Sequence, residues 1–192
     1  MDREIEQDLL ERLQRGDAAA FDALYDHYRP RIFGYLLRLG GRRELAEDLT
    51  QECFLRLASR AASLREGSRL RPWLFTVAHN LFVSHQRWRL LDAERIGELA
   101  RLQILDEQLE SPFEHTAGSE MERRLERALA ALPVRDREVL LLVAIEGLSP
   151  SEAAAICELK PEAFRKRLSR ARARLVGALG GVPDPGPSEV TT

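Results

Sequence analysis

The sequence predicts an all-α fold made of two small helical domains joined by a flexible linker. Apolar residues recur at helical spacing along most of the 192 residues, and no sustained period-two run is bounded by hairpin turns. Between residues 92 and 121 this pattern weakens, and Ser111-Pro112 and Gly118 lie among acidic side chains. The predicted ranges are a first domain at 1–92, a linker at 93–121, a second domain at 122–179 and a disordered tail at 180–192.

Apolar stripes and capping residues mark the helices of the first domain. A stripe over residues 5–13 ends at Gly16, and Asp17 is placed to cap the next helix. Pro30 should bend or restart that second helix, because proline has no backbone N–H to donate. After Pro30 the apolar pattern continues from Ile32 toward Gly40-Gly41, and further helices are predicted over residues 43–57 and about 72–91.

The segment from Leu148 to Leu175 has the pattern of a helix-turn-helix. Its first helix opens at Ser149, with Pro150 at the first helical position and Glu152 completing a capping box. A short turn that ends in Pro161 interrupts the pattern before a second helix. The sequence therefore predicts two short helices joined by a tight turn.

The second helix of this unit is cationic outside one narrow apolar stripe. At about 100° per residue, the stripe consists of Phe164, Leu168, Ala171 and Leu175. The remaining surface carries Arg165, Lys166, Arg167, Arg170, Arg172 and Arg174. Glu162 is the only acidic residue between Lys160 and Leu175. The helix therefore lacks the salt bridges that a charged helix facing only solvent usually has. Because such a helix fits the major groove of DNA, we predict DNA as its partner.

Composition and residue spacing exclude several function classes. The net charge of −2 conceals an acidic stretch at residues 92–126 and a basic final helix. Cys53 and Cys157 lie far apart without metal-ligand spacing. No ligand or triad spacing links His27, His79, His85 and His115, and no phosphate-cradling GxxxxGK[ST] occurs. We expect no catalytic residue, no cofactor and no metal, and hence no enzyme.

Signals for membranes and secretion are also missing from this sequence. The residues after Met1 lack the basic start and apolar core of a signal peptide. The longest apolar run, Val139 to Ile145, is far too short to span a bilayer. The sequence predicts a cytoplasmic protein with no membrane insertion.

The predicted helix over residues 43–57 has two distinct faces. Residues that recur at every fourth position supply a buried face, namely Leu45, Leu49, Cys53 and Leu57. Asp48, Gln51, Glu52 and Leu55 share another face, at spacings of three, four and seven. An acidic face of this kind is usually just solvated, so the pattern alone indicates no partner.

Three segments, in order and spacing, resemble the extracytoplasmic-function group of bacterial sigma factors, which belong to the sigma-70 family. They are residues 16–21 (GDAAAF), 46–57 (AEDLTQECFLRL) and 72–80 (PWLFTVAHN). The acidic linker, Leu132-Pro133, Arg137-Glu138 and the run 169–172 agree as well, so the resemblance covers nearly the whole chain. It implies a factor that binds core RNA polymerase and directs promoter-specific initiation. A region 2-like domain would bind polymerase and melt the minus-10 element, and a region 4-like domain would recognise the minus-35 element.

The resemblance also implies partners and site residues. Asp48, Gln51 and Glu52 would bind the clamp helices of a large polymerase subunit, and the flap would be a further polymerase contact. The residues implied for minus-10 DNA are Arg56, Arg60, Glu66, Gly67, Ser68, Arg69, Trp73, Asn80, Arg87 and Arg89. Those implied for minus-35 DNA are Ser149, Ser151, Arg165, Lys166, Arg167, Arg170 and Arg172. An anti-sigma factor is the other implied partner.

Two points remain open at the level of sequence. Trp73 lies in an apolar helix, where a tryptophan is more often part of the core than a stacking platform for bases. Residues 160–163 (KPEA) replace the capping hydroxyl residue and the threonine that the family usually has before and in the recognition helix, so the minus-35 sequence cannot be inferred. The alternative function is a stand-alone helix-turn-helix transcriptional regulator, which would bind promoters without core polymerase.

Overall fold

A computed structural model describes residues 1–64, 67–96 and 119–180 of the chain. The helices are α1 (Arg3–Gln14), α2 (Ala18–Gly40), α3 (Arg43–Arg60), α4 (Leu70–Ile96), α5 (Glu120–Ala130), α6 (Val134–Leu140), α7 (Pro150–Ile156) and α8 (Pro161–Ala178). A 3-10 turn at Ala61–Ser63 follows α3, and a π-helical turn at Leu141–Ile145 continues α6. The described residues form no strand, which confirms the all-α prediction. Most of the predicted linker and the tail lie outside them.

The predicted N-caps are confirmed. Asp17 accepts two backbone hydrogen bonds, at 2.9 and 3.3 Å, from the first turn of α2. Ser149 and Glu152 form a complete capping box at the start of α7. A second capping box, made by Ser119 and Glu122, starts α5. These caps fix where the chain enters each helix, including the first helix of the helix-turn-helix.

Helix α2 continues through Pro30, so of the two alternatives expected there, a bend or a restart, the restart is wrong. Leu24 and Tyr28 are buried before the proline, and Ile32 and Leu36 are buried after it. This packing holds both halves in one helix and offsets the hydrogen bond that proline cannot donate. Pro30 is exposed, where water can bond the carbonyl that is left without a donor. The long unbroken α2 becomes the central support of the molecule.

Helices α1 to α4 form the first domain around an apolar core. Tyr25 packs edge-on against Phe54 of α3, with ring centroids 4.7 Å apart. Tyr35 packs in the same way on Phe75 of α4, at 5.2 Å. Because both outer helices are fixed to α2 in this way, the outward faces of α3 and α4 have defined orientations.

The second domain consists of α5 to α8 and packs directly on the first. Val139, Leu142 and Phe164 have no exposed surface and lie in its core. Helix α6 contacts α2, and α7 contacts α4. We call this docked state of the two domains the closed arrangement. Within the described residues, no helix is both long and apolar enough to cross a membrane.

Candidate promoter and polymerase interfaces

Helix α8 presents a cationic surface outside its apolar stripe. Phe164 and Ala171 have no exposed surface and Leu168 is also buried, so the predicted stripe is confirmed. Arg165, Lys166, Arg170 and Arg172 are exposed, and Arg167 is half-buried. Arg174 is exposed, as expected, and is also ion-paired with Asp136 of α6. That pair fixes α8 against α6 and leaves the other cations along one outward surface.

The start of the helix-turn-helix is built by its own cap. The Ser149 hydroxyl donates to Glu152 at 2.6 Å and accepts the Glu152 N–H at 3.3 Å, so its proton and one of its two acceptor lone pairs are used within the fold. Ser151 is exposed one residue after Pro150. Lys160 precedes α8 without a side-chain cap bond. Of the two serines predicted for minus-35 DNA, Ser151 is therefore the one with an uncommitted hydroxyl in the described structure.

Helix α3 carries the predicted acidic face on its outer side. Its apolar face is buried as expected, at Leu45, Leu49, Cys53 and Leu57. Asp48 and Gln51 are exposed, while Glu52 is half-buried and paired with Arg56 at 2.9 Å. Leu55 lies on the same face with 57% of its surface exposed. An exposed leucine within an acidic patch is suited to a protein partner.

The predicted minus-10 residues fall into a group that faces solvent and a group that interacts within the fold. Arg60, Asn80 and Arg87 are exposed on α3 and α4. Gly67 is exposed in a left-handed conformation with φ of 74°, and Ser68 beside it is half-buried. Glu66 lies outside the described residues. The accessible members thus follow the end of α3, the loop and the outer side of α4.

Four residues of the minus-10 set interact within the fold in the closed arrangement. Arg56 is half-buried and paired with Glu52. Arg89 is only 9% exposed and interacts within the fold, so the expectation that it meets DNA is corrected for this arrangement. The periodicity of the sequence did not predict this burial of the long Arg89 side chain. Trp73 is half-buried and packed on the core. Arg69 forms an ion pair with Glu152 of the second domain at 2.5 Å.

A buried polar cluster between the domains was not identified from the sequence. The Tyr35 hydroxyl donates to Glu138 Oε1 at 2.8 Å, and His79 Nδ1 lies 2.6 Å from the same oxygen. Burial and the neighbouring Glu138 carboxylate raise the pKa of Tyr35 well above its ordinary value, so the phenol stays protonated and donates. The available signal was a tyrosine and a histidine inside otherwise apolar helix faces. Sequence alone gave no partner for them.

Arg137 joins the same interface through backbone carbonyls. Its Nη1 donates to the Arg38 carbonyl at 2.6 Å, and its Nη2 donates to the Ala130 carbonyl at 2.6 Å. The Arg38 carbonyl belongs to the last turn of α2, where carbonyls lack helical partners and the helix dipole favours a cation. Burial lowers the pKa of the Arg137 guanidinium from its ordinary value. One arginine thereby ties the second domain to the end of α2.

Both cysteines are expected to be unreactive in the folded protein. Burial raises the pKa of Cys53 to about 12, and burial together with Glu138 raises the pKa of Cys157. At pH 8 the native protein should therefore react with Ellman's reagent roughly a hundredfold or more slowly than the urea-unfolded protein, in which both pKa values fall to ordinary values. Stoichiometric reaction of a native thiol within seconds would contradict this.

No group of ligands that could hold a metal occurs in the described part of the chain.

Comparison with known proteins identifies the family. The family model for Sigma-70 region 2 matches residues 24–89, and that for Sigma-70 region 4 matches residues 122–175. The chain is 36% identical over 163 residues to the ECF RNA polymerase sigma factor EcfG of Rhodopseudomonas palustris, covering 83% of this chain and 86% of that protein. The chain belongs to the extracytoplasmic-function group of sigma-70 factors. As a sigma factor it directs RNA polymerase to initiate transcription at promoters.

Further comparisons show how far the likeness of this sigma factor extends. It is 31% identical to the RNA polymerase sigma-H factor of Pseudomonas aeruginosa, over 92% of this chain and 95% of that protein. Among solved structures it resembles the sigma factor RpoE in complex with the anti-sigma factor NepR from Bartonella quintana. That match has 29% identity and a TM-score of 0.68, and it covers 83% of this chain and 96% of that chain. Neither domain alone makes up 83% of this chain, so the similarity includes both domains.

Proposed function

We propose that the two domains of this sigma factor divide polymerase and promoter binding between them. The first domain, residues 1–92, binds core polymerase and the minus-10 element, and the second, residues 122–179, binds the minus-35 element. The observation that carries this division is the separation of two exposed surfaces of opposite charge. One is acidic with an apolar centre on α3, and the other is cationic on α8.

The α3 surface is assigned to the clamp helices of core polymerase. Asp48, Gln51 and Glu52 supply acceptors around the exposed Leu55. A basic-rimmed partner would pair with the carboxylates, and it would remove the leucine from water, which contributes most near the centre of an interface. This combination favours a protein over nucleic acid as the partner of α3.

The minus-10 surface is assigned to the end of α3, the loop at residues 67–69 and the outer side of α4. Arg60 and Arg87 can bind the phosphates of the separated strand, and the Asn80 amide can both donate to and accept from a base edge. Opening the duplex has an unstacking cost of about a few kcal/mol, which contacts to a flipped base offset. Trp73 is assigned to the core rather than to DNA, because it packs there.

The chain supplies no chemistry of its own in this proposal. Phosphodiester synthesis belongs to the polymerase, so the sigma factor is a binding subunit that acts where the bacterial chromosome lies, in the cytoplasm.

We also propose an anti-sigma factor as a regulatory partner, and the flap of the polymerase as the contact of the second domain. The anti-sigma factor in the solved Bartonella quintana complex supports the former. Affinity capture from the native bacterium, followed by reconstitution of the captured partner, would test it.

Replacing Arg165 with alanine should weaken promoter binding and relax its sequence preference. Arg165 is exposed at the start of α8, where recognition helices contact base edges. Loss of a bidentate contact to guanine would reduce binding free energy by roughly 1–3 kcal/mol, and only for promoters that keep that guanine. Run-off transcription from wild-type and singly substituted minus-35 elements measures both effects.

Arg15→Ala is the matched control, because it removes the same charge from an exposed position directly after helix α1 of the first domain. It should leave the preference among minus-35 elements unchanged. If Arg165→Ala weakened all promoters equally, Arg165 would be a phosphate contact. If it left every promoter unaffected, the assignment of α8 to the minus-35 element would be wrong.

A further inference from the structure

A cavity of about 150 Å³ lies in the first domain, between helices α1 and α2 and the loop that precedes α4. Helix α1 lines it with Arg3 and Gln7, and α2 lines it with Tyr28 and Arg31. The two residues of each pair are three or four positions apart, so one face of each helix forms a wall. A cavity of roughly this volume accommodates a molecule of about the size of benzene, so there is room for one small ligand.

The cavity and the proposed minus-10 surface share only the loop at residues 67–69. This loop forms a wall of the cavity. Arg60, Asn80 and Arg87, which supply the rest of the minus-10 surface, do not line it. The loop therefore separates a surface proposed for DNA from a cavity to which no role has been assigned.

Positive charge is concentrated around this cavity. Four arginines line it, namely Arg3, Arg31, Arg69 and Arg71. Arg31 and Arg69 form ion pairs with carboxylates of the second domain. Arg71 donates to a neutral acceptor, a backbone carbonyl at 3.2 Å. Within the described residues neither Arg3 nor Arg71 has a carboxylate partner, so these two guanidiniums remain available to an anion.

The other lining side chains offer mainly neutral donors. Glu6 is the one carboxylate among the lining residues, and it accepts the hydroxyl of the buried Tyr28. Burial and nearby positive charges lower the pKa of His27, on which those charges act more strongly than Glu6 does. Gln7 and Ser68 are half-buried and add an amide and a hydroxyl. Guanidinium groups combined with neutral donors are suited to an oxyanion.

Charge favours a phosphate monoester or inorganic phosphate over the backbone of DNA. A phosphate monoester carries a charge of about −1.5 to −2 near pH 7, which matches the two guanidiniums of Arg3 and Arg71. Each backbone phosphate of DNA carries a single negative charge. A guanidinium fork can bind two phosphate oxygens at once, and the two arginines come from different helices. Together they can hold one phosphoryl group from two sides.

We propose that this cavity binds the phosphoryl group of a small phosphate compound and that the bound anion inhibits minus-10 recognition. Arg3 and Arg71 hold the anion, and the Ser68 hydroxyl donates to it. This contact fixes the loop against α1 and withdraws Ser68 from the minus-10 element. Anion binding itself does not depend on the proposed function, whereas the inhibition rests on the proposed assignment of this loop to the minus-10 element.

Isothermal titration calorimetry of the full chain with inorganic phosphate, at constant ionic strength, measures binding. The wild type should bind one phosphate with a Kd of about 1 mM or lower. Arg3→Ala and Arg71→Ala should each weaken binding roughly tenfold or more, because each removes a charged hydrogen-bonding group. Arg71→Lys keeps the charge without the fork and should lose less. Arg15→Ala, at an exposed position directly after α1, is the matched control and should bind like the wild type.

Hydrogen exchange and run-off transcription measure the effect on the loop. Phosphate should slow the exchange of the amides at residues 67–69 in the wild type and not in Arg3→Ala. At constant ionic strength, phosphate should also lower the transcript yield of the wild type and leave that of Arg3→Ala unchanged. Because Arg3 is exposed at the start of α1, its replacement should not disturb the core.

A nucleoside 5′-monophosphate identifies the source of the phosphoryl group. If it binds more tightly than inorganic phosphate and depends on Arg3 and Arg71 in the same way, the proposal is supported and the ligand is a nucleotide. If inorganic phosphate binds as tightly, the proposal is supported and the phosphoryl group alone is recognised.

Four results would overturn the proposal. The first is the absence of saturable phosphate binding, and the second is an equal loss of binding in Arg15→Ala and Arg3→Ala, because only overall charge would then matter. The third is binding without any effect on transcription. The fourth is tighter, Arg3-dependent binding of a single-stranded oligonucleotide that lacks a terminal phosphate, since the cavity would then belong to the promoter strand. Phosphate binding without any transcript under any condition would instead overturn the proposed function.

Discussion

Replacing Asp48 and Glu52 with lysine is expected to weaken assembly of this sigma factor with core RNA polymerase strongly while the fold stays intact. Both side chains lie on the outer face of α3, and Glu52 loses only its partly exposed pair with Arg56. Removing one partner of an interfacial charge pair costs about 2–5 kcal/mol, and reversal adds repulsion. Polymerase affinity should therefore fall roughly thirtyfold or more.

A titration of fluorescently labelled sigma factor with core polymerase measures this change. The matched control is Asp22→Lys with Asp26→Lys, two exposed carboxylates at the same spacing on α2. The control should bind polymerase like the wild type, since it makes the same change of charge on a different face. An unchanged affinity of the α3 variant, with helical content preserved, would reject the clamp-helix assignment.

Replacing Phe164 with alanine is expected to destabilise the second domain severely. Phe164 lies on α8, has no exposed surface and belongs to the buried apolar core. Truncation of a buried phenylalanine typically reduces the free energy of unfolding by about 3–5 kcal/mol, because it removes apolar burial and leaves a cavity. A small domain with one core cannot lose that much and keep α8 firmly in place.

Hydrogen exchange of the α8 amides is the appropriate measurement, because the two domains need not unfold together. Val176→Ala is the control on the same helix, at a residue that is 36% exposed. It should change protection by no more than about 0.5 kcal/mol. If Phe164→Ala changed α8 protection as little as this control does, the interior position of Phe164 would be wrong.

The helices and their faces could be predicted because their causes are local. Asp17 and Ser149 cap the helices that follow them, as the sequence indicated. Spacing along α8 separates the buried Phe164 and Leu168 from the exposed arginines. Each of these features depends on residues within a few turns of one another, which sequence periodicity records directly.

The contact between the domains could not be predicted, because its partners are distant in sequence. Arg38 and Glu126 are 88 residues apart, and Arg31 and Glu146 are 115 apart. Nothing within either helix indicates which opposite charge will face it. At Pro30 the helix does not restart, because packing on both sides of the proline outweighs the local rule that proline ends a helix. The burial of Arg89 likewise depends on neighbouring residues that sequence periodicity does not identify.

Run-off transcription with purified core RNA polymerase and fragmented DNA of the native bacterium tests the division of function most directly. Discrete transcripts should appear only when the sigma factor is added, and their start sites should share a minus-10 and a minus-35 element. Charge reversal at Asp48 and Glu52 should abolish them. DNA binding without any polymerase-dependent transcript would contradict this and would indicate a stand-alone regulator.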